Sequence, residues 1–201
     1  MKHFHKWALL GMLVLLAAAA AKADETVVTF DDLPATLGPL LVPSPYGGID
    51  WNGNWQYFGE TMDDPYNPYS APNRVFDADS ATPGVGDTFN FITPQVFDGA
   101  YFSGYSTATV TFELFNGSTL VGTSATLDPS STPTFLASGY SGLVTQVEVY
   151  SPGPDDFVMD NVTYGTPGTS VPEPSSISLL LLGTGLLGFL RIFRGNANMN
   201  S

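Results

Sequence analysis

Between residues 24 and 170 the chain contains no His, no Lys and no Cys; His3 and His5, with Lys2, Lys6 and Lys22, all precede that stretch. Without an imidazole base, no Ser-His-Asp triad can be assembled there. A thiol nucleophile, a Schiff-base lysine and a histidine zinc site are excluded on the same ground. Carboxylate chemistry survives, either as an acid/base pair of the glycosidase type or as oxygen-ligand metal binding. Glu60, Glu113 and Glu148 are the candidates for such a pair. Glu113 and Glu148 fall on the outward faces of predicted strands, where solvated surface is the expectation.

Hard oxygen ligands suited to Ca2+ recur at Asp31-Asp32, Asp63-Asp64, Asp77-Ala78-Asp79, Asp155-Asp156 and Asp160. The run from Asp77 fails as an EF-hand, because Ala81, Thr82 and Thr88 stand where a ligand, Gly and Glu are needed. A second chemistry is suggested by the crowding of Tyr46, Trp51, Trp55, Tyr57, Phe58, Tyr66 and Tyr69 into one region. Sugar rings stack on exposed aromatic faces, and Asp50, Asn52 and Asn54 lie beside the rings to hydrogen-bond hydroxyls. Trp51, Trp55 and Tyr57 are the candidate glycan platform. Such rings also cap sandwich cores, and Trp51 is expected to do so.

The elements that must position these groups are strands. Gly, Pro, Ser, Thr and aromatics dominate residues 24–170, no helical period occurs, and turn signals recur about every ten residues. The fold class predicted is all-β, an antiparallel β-sandwich of jelly-roll-like form. In residues 107–114, Ala108, Val110, Phe112 and Leu114 alternate with Thr107, Thr109, Thr111 and Glu113, the pattern of a half-buried strand. Asn116-Gly117 is read as a two-residue turn that pairs Phe112 with Val121, Val110 with Thr123 and Ala108 with Ala125. Further strands are predicted at 26–30, 87–92, 134–137, 143–150 and 157–164. Residues 43–73 read as long surface loops or short irregular strands.

Residues 24–170 carry eighteen Asp plus Glu against one cation, Arg74, a net charge of −17. Recognition of a nucleic-acid backbone rests on clustered Lys and Arg and is excluded; binding to anionic lipid is disfavoured. No disulfide supports the fold, so burial of apolar area must.

Both ends of the chain read as targeting segments. Lys2 and Lys6 precede an apolar stretch over 7–21 that ends Ala21-Lys22-Ala23, the layout of a secretory signal peptide over 1–23. No Cys follows, so a lipoprotein is excluded. Residues 166–170 form a short flexible linker. Then come Val171-Pro172-Glu173-Pro174, an apolar run that predicts a transmembrane helix over 175–193, and Arg191 and Arg194. The two prolines keep the tetrapeptide extended, and the two arginines place the end on the cytoplasmic side. A sortase signal would read Leu-Pro-x-Thr-Gly, which does not occur, and a GPI signal would end apolar.

Val171-Pro172-Glu173-Pro174, the apolar run and the Arg pair resemble the PEP-CTERM sorting signal of Gram-negative bacteria that make exopolysaccharide. That resemblance covers residues 171–194 and departs from the usual pattern in the seven residues, Gly195 to Ser201, that trail the arginines. It implies an exosortase-type processing transpeptidase as partner, contact with the membrane through the C-terminal helix before processing, and an inner-membrane-anchored precursor that ends in the cell envelope or outside the cell. Residues 28–33, 46–51 and 157–162 resemble the jelly-roll or galactose-binding-like ectodomains found before such tails. This looser resemblance implies a sandwich over 24–165, with a structural Ca2+ where first and last strands meet, held by Asp31 or Asp32 with Asp160. The function expected is a non-enzymatic, exported envelope or matrix protein with a structural or adhesive role. Its alternatives are a carbohydrate-binding module, with exopolysaccharide as a candidate ligand, and a carboxylate-dependent glycan hydrolase.

Overall fold

A computed structural model describes residues 24–59, 64–77, 86–152 and 156–166. The signal peptide, most of the linker, the sorting motif (Val171, Pro172, Glu173, Pro174, Arg191, Arg194), the helix expected at 175–193 and Glu60 lie outside them. Among the described residues no helix is long and apolar enough to cross a membrane. The regular elements are all strands: β1 (Glu25–Val28), β2 (Leu40–Leu41), β3 (Ile49–Asp50), β4 (Trp55–Phe58), β5 (Arg74–Asp77), β6 (Asp87–Gly104), β7 (Thr111–Asn116), β8 (Thr119–Thr123), β9 (Thr134–Ala137), β10 (Leu143–Tyr150) and β11 (Phe157–Gly165).

Every strand pairing is antiparallel, and β6 belongs to both layers. Its first half lies between β10 and β3, with Val147 opposite Phe89 and Ile49 opposite Phe91. Its second half lies between β11 and β9, with Met159 opposite Phe102 and Leu136 opposite Ala100. The outer strands continue as β10-β7-β8 on one side and β11-β5-β4-β2 on the other. An eighteen-residue strand that changes partners midway joins two sheets into a sandwich.

The core fills the space between them. Phe112 and Leu114 of β7, Val147 and Val149 of β10, and Phe89, Phe97 and Phe102 of β6 are buried in one cluster. These are the alternate positions that the period-2 pattern marks on β7 and β10. β11 is buried along its whole length, covered on its outer face by residues 64–73. That loop is tied down where Ser103 Oγ donates to Asn67 O at 2.5 Å and Asn67 Nδ2 donates to Ser131 O at 2.8 Å.

Two expectations are corrected. The β7–β8 turn sits one residue later, at Gly117-Ser118, because Gly117 takes φ 60° and Asn116 pairs with Thr119. The register also slips between Leu114 and Phe115, which leaves Val121 as the bulged residue. Phe112 therefore meets Ser124, whose N–H donates to Phe112 O at 3.0 Å, and Val110 bridges Leu127 rather than Thr123. The strand expected at 87–92 runs on to Gly104, and β5 was not anticipated.

Candidate functional site

The sequence-predicted glycan platform lies inside the core. Trp51 and Trp55 are 0% exposed and Tyr57 is 4% exposed. Trp51 packs against Phe30, Trp55 and Phe89 at centroid distances of 5.2, 5.9 and 5.3 Å. Both indole N–H groups are satisfied internally, Trp51 Nε1 by Tyr46 O at 3.0 Å and Trp55 Nε1 by Thr88 O at 3.1 Å. Trp51 caps the core as expected. None of the three presents a face to a ligand, because alternation along β4 turns Trp55 and Tyr57 inward.

A different aromatic surface faces solvent on the outer side of the β1-β11-β6-β9 sheet. There a cleft of about 500 Å³ is lined by Glu25, Val27, Tyr69, Asp98, Tyr101, Phe135, Asn161 and Thr163. Strand register assembles most of it. Val27 is opposite Thr163, and Tyr101 is opposite Phe135 on one side and Asp160 on the other. Glu25 and Val27 share one face of β1, being two residues apart. Tyr101 points outward between the buried Ala100 and Phe102. Three rings stand in file: Tyr69 stacks on Tyr101 at 3.5 Å and 15°, and Phe135 lies 5.1 Å from Tyr101. Tyr69 is 52% exposed and Phe135 38%, and Tyr101 between them is half-buried with one face against Tyr69.

Two local distortions make the cleft. Gly99 adopts φ 145°, and a Cβ there would stand 2.1 Å from Leu136 O, so only glycine lets β9 pair this closely with β6. Facing it, Asn161 adopts φ 48° where the β11–β6 register slips between Asp160 and Thr163. Asparagine is among the few residues that enter this region readily, and the bulge places Asn161 in the wall of the cleft.

Asp160 lies beneath, 2% exposed. Its carboxylate accepts N–H from Ser70 at 2.8 Å, from Asn161 at 2.7 Å and from Tyr69, while Ser70 Oγ donates to Asn161 Oδ1 at 2.6 Å. One buried acid thus fixes both the loop that carries Tyr69 and the bulge that carries Asn161. Burial pushes its pKa up to about 7 against the pull of those donors, and the nearby Asp31 adds to the rise. Across the cleft, Asp98 is held above the ordinary carboxylate range by partial desolvation and then by Glu25. Tyr101 is raised first by its hydrogen bond with Tyr69.

The calcium candidates have other partners. Asp31 Oδ1 accepts from Asn73 N–H at 3.1 Å, Asp32 accepts from Tyr46 Oη, and Asp160 is engaged as described. Among the described residues no group of three or more His, Cys, Asp or Glu side chains is placed to hold a metal ion. Glu113 and Glu148 stand directly opposite each other on β7 and β10. Glu148 is raised by burial and then by Glu113, but neither lines the aromatic cleft.

Sequence reasoning named Tyr69 only as one of a crowd and missed Glu25, Asp98, Tyr101, Phe135, Asn161 and Thr163. The available signal was Tyr101 alternating with Ala100 and Phe102, which marks an aromatic on each face of one strand.

Residues 170–194 match the PEP-CTERM protein-sorting motif, so the chain carries that sorting signal at its C-terminal end. No curated protein matches the chain. Among solved structures, it is similar to a CBM29-2 variant from work on ligand recognition by family 29 carbohydrate binding modules. That likeness has 16% identity and a TM-score of 0.41, over 76% of this chain and 99% of the other. A second variant of a family 29 carbohydrate binding module gives 13% identity and a TM-score of 0.37, over 76% and 100%. A third, CBM29-2 complexed with mannohexaose, gives 12% and 0.37, over 73% and 94%.

Proposed function

We propose that this is an exported, non-enzymatic protein of the cell envelope or extracellular matrix, adhesive in role, that holds a glycan in the Tyr69–Tyr101–Phe135 cleft. In this reading residues 1–23 direct export, 24–165 are the binding domain, and 171–201 form the tail handled by an exosortase-type transpeptidase. The host's exopolysaccharide is the candidate ligand.

One observation supports binding above all: two exposed rings, Tyr69 and Phe135, flank the half-buried Tyr101, which contacts both, beside a polar wall of Asn161, Thr163, Asp98 and Glu25. Pyranose rings present apolar C–H faces and a rim of hydroxyls, so they stack on aromatic faces while the rim bonds to amides and carboxylates. A file of rings along an open cleft suits a chain of sugars better than a single one. Support for a non-enzymatic role comes from the chain itself. Residues 24–170 contain no His, Lys or Cys, and among the described residues the directly opposed glutamates, Glu113 and Glu148, lie away from the cleft; the cleft's own carboxylates, Glu25 and Asp98, are ligand contacts in this reading.

Affinity electrophoresis through gels containing the host polysaccharide tests the proposal. The wild-type chain should be retarded and Tyr101→Ala should not, at equal folded fraction by circular dichroism. Equal migration of the two, with and without polysaccharide, would remove the glycan-binding reading.

A further inference from the structure

We infer that the cleft selects glycans bearing primary ammonium groups, such as de-N-acetylated hexosamine chains, over neutral and acidic ones. This rests on the glycan-binding reading above and adds the charge of the ligand to it.

The cleft's charged residues are Glu25 and Asp98, and no Lys, Arg or His is among its lining. Partial desolvation and then the nearby Glu25 raise the proton affinity of Asp98. The rest of the domain does not relieve them. Arg74 is the one cation in residues 24–170, and it is fully buried with its guanidinium 3.8 Å from the centre of the Phe58 ring. An α-ammonium at Asp24, were the signal peptide removed, would leave the rim net negative, with Asp24, Glu25 and Asp98 against one charge.

A ligand cation placed between Glu25 and Asp98 removes their repulsion and gains attraction from both. The ring faces act in the same direction, because their quadrupoles attract ammonium groups. Asn161 supplies the complementary contact. Its Oδ1 accepts from Ser70 Oγ at 2.6 Å, which fixes the side-chain amide in the wall of the cleft, where an amide can bond to sugar hydroxyls. Rings, a side-chain amide and two carboxylates are the groups that suit the stacking face, hydroxyls and ammonium of an amino-sugar chain. A uronate chain would instead meet two carboxylates inside a domain of net charge −17 and be repelled.

Calorimetric titration of the full chain with three probes of equal length tests this: a glucosamine hexamer, an N-acetylglucosamine hexamer and a galacturonate hexamer, in mildly acidic buffer where the amines are charged. The glucosamine hexamer should bind about tenfold tighter than its N-acetylated counterpart, a difference of ~1.4 kcal/mol, and galacturonate most weakly. The preference should shrink at high salt, since the rim is solvent-exposed. The double variant Glu25→Gln, Asp98→Asn should bring the two hexosamine probes to within about twofold by weakening only the charged one. Equal affinity for the two in the wild type, or a preference that survives the double variant, overturns the inference while leaving glycan binding intact. If none of the three binds, the inference falls, and retardation by the host polysaccharide alone decides the glycan-binding reading.

Discussion

The buried Asp160 makes the stability of this domain depend on pH in an unusual direction. An unfolded chain releases that proton near the ordinary value of 3.8, whereas the folded chain keeps it up to about 7. Between those values the native state holds one more proton than the unfolded state, so unfolding free energy falls as pH rises, by at most ~1.4 kcal/mol per pH unit. Across the whole interval from 3.8 to about 7 the loss has an upper bound of ~4 kcal/mol, most of it complete on reaching neutrality. Against a typical domain stability of ~5–15 kcal/mol this is large enough to measure without difficulty. The assay is urea unfolding at a series of pH values across that interval, on wild type and on Asp160→Asn. General self-repulsion among the acids also lowers stability as pH rises, so the comparison with the variant isolates the one group. Wild type should lose stability steeply and Asp160→Asn markedly less. A flat or rising wild-type profile through this interval, or identical slopes in the two proteins, would refute the reasoning.

Further outcomes follow from the same geometry. Gly99→Ala should destabilise by about 1–3 kcal/mol or more in urea unfolding, because its Cβ would meet Leu136 O at 2.1 Å at φ 145°, and an unchanged midpoint would contradict the close pairing of β6 with β9. Trp55→Phe should cost about 1–3 kcal/mol through lost packing and the lost Nε1 hydrogen bond to Thr88 O, which keeps Asn52 Nδ2 as a donor, yet leave polysaccharide retardation unchanged; weaker retardation at equal folded fraction would return that ring to the binding surface. Glu148→Gln should raise stability at neutral pH by roughly 0.3–1 kcal/mol by removing a like charge opposite Glu113. That gain should shrink as pH falls, because burial and then Glu113 hold the Glu148 carboxyl above its ordinary range, and thermal melts across a pH series check it.

How far the sequence carries the structure differs from element to element. β9 and β10 fall at the expected residues because each is bounded by Gly, Ser and Pro and is rich in β-formers. The second half of β6 was illegible because Gly99 and the facing bulge at Asn161 break the two-residue period where the cleft forms. A period can reveal a strand only where the strand keeps it, and here the distortions that hide the strand also shape the site. The exposed aromatic cleft was not anticipated for a related reason. Trp51, Trp55 and Tyr57 are close in sequence, whereas Tyr69, Tyr101 and Phe135 come from a loop and two strands and meet only after folding. The tail was legible because its information is linear: a Pro-broken tetrapeptide, an apolar run and two arginines in order, within the 170–194 match.

Chemical-shift mapping of the labelled protein with an added hexosamine oligosaccharide bears most directly on the account. Perturbations should gather at Tyr69, Tyr101, Phe135, Asn161 and Thr163, and leave the Trp51 and Trp55 indole N–H signals in place. Shifts concentrated on any other surface, or no shifts at saturating sugar, would contradict it.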